Sequence, residues 1–151
     1  MARLKASRGF TLLELVVVLA IGVTMYALLL SAPFGKASAG DLKAAAREVA
    51  SGLRTAQSTA MATRRDALMT IDMESREYVT TGAPMVRRLP SNIDLKLFTA
   101  QTEVESDHRG SIRFYPDGSS TGGRVTVGSG ERKYLVDVDW LTGRVAINQD
   151  E

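Results

Sequence analysis

The chain has 151 residues, 44% apolar and 24% charged, enough for one domain that buries a core plus one further segment. It contains no cysteine, which removes disulfides, thiolate metal sites and thiol nucleophiles together, so packing and backbone pairing alone must hold the fold. The formal charge is +2, but Arg3, Lys5 and Arg8 all fall in the first nine residues; subtracting those three charges leaves −1, a poor match to a nucleic-acid surface, which needs clustered cations.

From Phe10 to Leu30 runs an apolar stretch of 21 residues with a single charge. As a helix rising about 1.5 Å per residue it spans roughly 30 Å, the hydrocarbon core of one bilayer. Three cations and no acid precede it, so the positive-inside rule leaves Met1 to Gly9 in the cytoplasm and sends the rest across. Glu14 is the anomaly, because an isolated charge within an apolar span costs roughly 2.5 to 3.5 kcal/mol on insertion scales. One reading keeps the carboxyl protonated or snorkelling to the headgroups. In another, cleavage after Gly9 gives Phe10 a free α-amine one helical turn from Glu14, able to form an ion pair within a subunit or between neighbours.

The string Arg8-Gly9-Phe10-Thr11-Leu12-Leu13-Glu14 resembles the processing motif of type IV prepilins and type II secretion pseudopilins. The resemblance implies that a membrane peptidase cuts after Gly9, that Phe10 becomes the N-methylated terminus, and that Glu14 is the carboxylate that recruits the subunit into a filament. A rival is an ordinary secretory signal, since Ala37-Ser38-Ala39 before Gly40 is an A-x-A pattern. The apolar run is longer than the 7 to 15 residues typical of such a signal and carries a carboxylate, which favours the prepilin reading.

Pro33, Gly35 and Gly40 predict a kink or short break after the apolar run. Asp41 is then the expected N-cap of a helix lasting to about Arg64, with Leu42, Ala46, Val49, Leu53, Ala56 and Ala60 on one stripe. That stripe is too Ala-rich for a strong coiled-coil seam and suits a helix lying on its own domain's sheet. Beyond Arg65 the period changes to two. Strands are expected over 67–73, 77–80, 93–98, 111–115, 124–127, 132–140 and 144–147. Pro116-Asp117-Gly118 and Gly128-Ser129-Gly130 carry turn chemistry, and Thr142-Gly143 predicts a tight hairpin between the last two strands. The polar, aperiodic stretch from Thr99 to Gly110 reads as a long exposed loop.

Three segments, Phe114 to Ser120, Gly122 to Val127 and Val138 to Val145, resemble the C-terminal signature of the protein H family of minor pseudopilins. The implied fold agrees with the pattern reading. It is α+β and pilin-like: a long N-terminal helix, half of it transmembrane, followed by an antiparallel β-sandwich-like head. The expected division is a leader over 1–9, a transmembrane helix over 10–31, a periplasmic helix over 32–65 and the head over 66–151. The stretch from Thr81 to Gly110 carries none of these motifs.

No residue set reads as an active site. Ser106-Asp107-His108 has the residue types of a hydrolytic triad, but neighbours in a polar loop do not converge without special folding. A single histidine makes no metal site, and His108 suits a solvated loop. Asp137 and Asp139 share a strand face and could suit calcium or a carboxylate pair, although cross-strand Arg124, Arg132 or Arg144 offers them plain ion pairs. Gly128-Ser129-Gly130 lacks the third glycine of a dinucleotide loop. The expectation is therefore a non-enzymatic subunit of the inner membrane, without cofactor or metal, processed at Gly9 and Phe10 and assembling through Glu14. The implied partners are the major and other minor pseudopilins, the prepilin peptidase and the type II secretion machinery. The alternatives are a minor pilin of type IV pili, some of which bind DNA, and a secreted soluble domain starting at Gly40. The acidic end, Asn148-Gln149-Asp150-Glu151, argues against DNA.

Overall fold

A computed structural model describes residues 11–31 and 37–150. They belong to two compact units, residues 1–34 and 35–151. The expected break at Pro33 and Gly35 lies outside the described residues, as do Gly9 and Phe10.

In the first unit, helix α1 runs over Leu12–Ser31. In the second, helix α2 runs over Ala39–Thr63. Its N-cap is Ser38, whose Oγ accepts the backbone N–H of Asp41 (3.1 Å), while Asp41 Oδ2 accepts the Ser38 N–H (3.2 Å). Asp41, expected to be the cap itself, is thus the third residue of a reciprocal capping box, and Gly40 lies inside the first turn rather than breaking the helix. All six stripe residues are buried, joined by Ala45 and Ala50. An alanine-rich face lets the helix axis approach a sheet closely, which explains its composition better than a partner helix would.

Among the described residues nine strands form two antiparallel sheets: β1 Ala67–Asp72, β2 Glu77–Thr80, β3 Ala83–Arg88, β4 Asp94–Thr99, β5 Val104–Ser106, β6 Arg109–Phe114, β7 Gly123–Ser129, β8 Arg132–Val138 and β9 Val145–Asp150. One has the order β3-β2-β1-β6-β5 and the other β4-β7-β8-β9. Helix α2 contacts both. Its stripe meets Met69, Ile71, Ile112 and Phe114 of the first sheet and Val125, Val127, Val136 and Val145 of the second in one core. The α+β class and the two sheets are as the sequence predicts.

Two strands were not expected. β3 is an edge strand, exposed at every residue but Ala83, and β5 is three exposed residues paired to β6. The stretch from Thr99 to Gly110 is therefore not a long loop: it holds a 3-10 turn, Gln101–Glu103, and then β5. Glu103 in that turn is only 8% exposed and is held by Arg113 of β6 through Nε–Oε1 (2.9 Å) and Nη2–Oε2 (3.3 Å).

The predicted turns are locked to the helix. Gln57 of α2 donates from Nε2 to the carbonyls of Gly118 (3.0 Å) and Thr142 (3.1 Å), tying together the β6–β7 and β8–β9 connections. Gly143 (φ 63°) is required there, because a Cβ would lie 2.1 Å from the Gly118 carbonyl oxygen. Asp139, expected on the strand, instead organises this turn: its Oδ1 accepts from Thr142 N (2.8 Å) and Oγ1 (2.8 Å) and from Leu141 N (3.1 Å).

Candidate processing and assembly site

The start of α1 is set by Thr11. Its Oγ1 accepts the backbone N–H of Glu14 (3.2 Å) and its carbonyl accepts that of Leu15 (3.2 Å), so Thr11 caps a helix that begins at Leu12. Glu14 is consequently the third helical residue, where the positive end of the helix dipole favours a negative charge. Its side chain is exposed and, among the described residues, its carboxylate has no hydrogen-bond or ion-pair partner. A charge favoured by the dipole but otherwise unmatched is available to an external amine.

The α1 side chains described, Leu12 through Ala27, are all exposed, including Leu12 at 84% and Met25 at 66%. An apolar helix open all round requires lipid or other helices against it. Thr24, its central hydroxyl, is satisfied internally by the carbonyls of Ala20 (2.8 Å) and Ile21 (2.9 Å), an arrangement compatible with a surround that offers no water. Among the described residues no helix is long and apolar enough to cross a membrane. The apolar run of the sequence starts at Phe10 and so reaches beyond them.

The head offers no convergent catalytic group at the expected positions. Ser106 Oγ accepts the backbone N–H of His108 (3.4 Å), and Ser106, Asp107 and His108 are all exposed around the β5–β6 turn. Asp137 pairs with Arg124, its cross-strand partner, and also accepts from Asn148 Nδ2 (3.0 Å), so its two oxygens are occupied by neighbouring strands. The Asp137 hydrogen bond holds the Arg124 pKa above its ordinary value. Asp137 and Asp139 are thereby separated into an ion pair and a turn. Among the described residues neither Arg132 nor Arg144 forms a side-chain ion pair with them, although the Arg144 charge helps lower the Asp139 pKa and the Arg144 carbonyl accepts the Asp139 N–H (3.0 Å).

Residues 45–143, from the first buried alanines of α2 to the glycine of the last turn, match the family model of type II transport protein GspH. The chain belongs to the GspH family. Residues 4–25 of this GspH-family chain match the prokaryotic N-terminal methylation motif, the same stretch that holds Gly9, Phe10 and Glu14. A curated relative, type II secretion system protein H of Xanthomonas campestris pv. campestris, is 32% identical over 139 residues, covering 91% of this chain and 81% of its own. Two solved structures share the fold at low identity. The minor pseudopilin EpsH of Vibrio cholerae has a TM-score of 0.57 at 11% identity, covering 72% of this chain and 97% of its own. The type IV minor pilin FimU of Pseudomonas aeruginosa has a TM-score of 0.57 at 13% identity, covering 72% and 89%. The fold is therefore pilin-like, and fold alone does not divide secretion from pilus subunits.

Proposed function

We propose that this GspH-family chain is a minor pseudopilin of a type II secretion system, processed after Gly9, N-methylated at Phe10 and drawn into the pseudopilus by Glu14, where it assembles near the tip to help export folded proteins. Family membership supports a minor pseudopilin role in type II secretion. The observation behind the finer reading is the Glu14 carboxylate, without a partner among the described residues, in the first turn of α1 and inside the N-terminal methylation motif. An α-amine created at Phe10 would stand one turn away and neutralise a charge that is costly in lipid.

On this reading residues 1–9 are the leader, 10–31 the transmembrane helix, 32–65 the periplasmic part of the N-terminal helix and 66–151 the head. The chain spans the inner membrane once, with its N-terminus cytoplasmic and its head periplasmic. Its partners are the major and other minor pseudopilins, the prepilin peptidase and the secretion machinery. Its work is mechanical rather than enzymatic, and it takes no nucleic acid.

A secreted domain beginning at Gly40 is disfavoured by a specific feature. Cutting there would remove Ser38, the α2 cap, and Ala37, whose N–H bonds the buried Ser129 Oγ (2.9 Å), so the product would lose its helix cap at about 1 kcal/mol. The minor-pilin alternative is separated by the partner that fails when the chain is absent. Glu14→Ala should insert in the membrane and be cleaved normally yet lose co-purification with the major pseudopilin and abolish secretion in a strain lacking the native copy. Unchanged incorporation would remove the ion-pair argument, and a defect in pili rather than secretion would move the chain to the pilus.

A further inference from the structure

The charges of α2 are sorted to either side of its buried stripe. Its three cations, Lys43, Arg47 and Arg54, fall within about 40° of arc on a helix of 3.6 residues per turn, and its two acids, Asp41 and Glu48, fall on the other flank. Both acids are engaged there, Asp41 in the capping box and Glu48 with Tyr78 Oη (3.0 Å), beside Arg87 (3.8 Å). The cationic flank is turned to β9, because Arg54 Nη2 donates to the Val145 carbonyl (3.2 Å). Lys43 and Arg47 are exposed and have no hydrogen-bond or ion-pair partner among the described residues.

β9 is an edge strand, and its register fixes where the backbone points. The Arg144 carbonyl accepts the Asp139 N–H (3.0 Å), so Asp137↔Ala146, Leu135↔Asn148 and Lys133↔Asp150 are the bonded pairs and Val145, Ile147 and Gln149 turn their N–H and C=O groups outward. The Arg54 bond to the Val145 carbonyl has the same phase. The outward groups of Ile147, which is half-buried, and of Gln149, which is exposed, have no partner among the described residues. Helix and strand run antiparallel beside this edge. Ala37, two residues ahead of α2, bonds Ser129, whose partner Arg132 adjoins Lys133 opposite Asp150, while Arg54 meets Val145 at the other end. From Lys43 to Arg54 the helix rises about 16 Å, and from Asp150 to Val145 the strand spans about 16 Å, so Lys43 and Arg47 stand level with the open half of β9. Asp150 itself lies on the outer sheet face with Lys96 and Lys133.

We propose that the β9 edge and the cationic flank of α2 together receive an extended segment of another protein that carries carboxylates at alternate positions. The free N–H and C=O groups of Ile147 and Gln149 pair with the backbone of that segment, which continues the sheet as a further strand. Strand side chains two residues apart on one face are roughly 6.6 Å apart, and Lys43 and Arg47, about one helical turn apart, are separated by a rise of roughly 6 Å. An acid-x-acid pattern therefore sets one carboxylate against each cation. The edge supplies the affinity of a strand and the helix selects the charge.

The test uses the full chain in uncharged detergent micelles and a short, end-blocked, fluorescently labelled peptide of alternating valine and glutamate. Its affinity, read by fluorescence anisotropy, should fall roughly tenfold when Lys43→Glu and Arg47→Glu are combined, and a valine–lysine peptide should bind that double variant in its place. Both substitutions are at exposed positions, and an unchanged circular dichroism melt shows that the head is intact. In the parent, nuclear magnetic resonance should show amide exchange at Ile147 and Gln149 slowed by the valine–glutamate peptide, with Asn148, already bonded to β8, unaffected. Binding weaker than about 1 mM, or equal affinity in the parent and the double variant, would overturn the proposal. Binding without slowed exchange at Ile147 and Gln149 would overturn it as well, reducing the flank to a charged patch of the kind that an anionic lipid or a nucleic acid uses.

Discussion

The Glu103–Arg113 pair makes an asymmetric prediction. Glu103 is 8% exposed, whereas the Arg113 side chain is 32% exposed and has a second carboxylate, Asp66, at 3.5 Å. The Glu103 hydrogen bond is the main reason the Arg113 pKa is raised. Arg113→Ala leaves a buried carboxylate with no cation, a loss of about 3 kcal/mol. Glu103→Ala leaves an arginine that still reaches water and Asp66, so its cost should be smaller, about 1 to 2 kcal/mol after allowing for that exposure. Removing both should cost less than the sum of the single losses, since no charge is stranded. The assay is urea unfolding of the full chain in detergent micelles, followed by the β-sheet circular dichroism signal. If Arg113→Ala is no more damaging than Glu103→Ala, or if the double mutant shows simple additivity, the pair is not what fastens the segment from Thr99 to Gly110 to β6.

Gly143→Ala forces a side chain into a left-handed conformation and against the Gly118 carbonyl, and should destabilise the head by about 2 kcal/mol or more in the same assay; a loss under about 0.5 kcal/mol would contradict the clamp through Gln57. Ser38→Ala should cost about 1 kcal/mol by removing the α2 cap, and a neutral result would move the start of the helix elsewhere. Acid should weaken the fold through three turn carboxylates. Asp139 is lowered by the Thr142 backbone N–H, Asp117 by the Ser119 hydroxyl and Asp72 by the Ser75 backbone N–H. Because the unfolded chain binds these protons more readily, the stabilisation is present above the ordinary value near 4 and is lost as pH falls through the lower folded values. Asp139→Asn keeps an acceptor without titrating, so it should flatten the melting-temperature profile below about pH 4; an unchanged slope would exclude Asp139 from that loss.

Much of this was legible because burial imposes a period. The stripe from Leu42 to Ala60 and the alternation of β1 and β2 are written by one buried face each. β3 was hidden for the opposite reason: Ala83-Pro84-Met85-Val86-Arg87-Arg88 lies at an edge with both faces largely open, so it has no alternation, and Pro84 argues against a strand. β5 is held by its register with β6 rather than by pattern. Glu103 reads as a surface charge until Arg113 is brought to it across the fold. The Ser38 cap was masked by Asp41, which is as good a cap by type and differs only in position. In the N-terminal motif the chemistry needs no tertiary structure: a glycine, a new terminus and a carboxylate one turn on are all local.

The most direct test is the intact mass and N-terminal sequence of the protein taken from native membranes. The mature chain should begin at Phe10, lack the first nine residues and carry one added methyl group on its α-amine. A chain beginning at Met1 in assembled pseudopili would contradict this, because Glu14 would then have no amine one turn away, and so would one beginning at Gly40, which lacks Glu14 altogether.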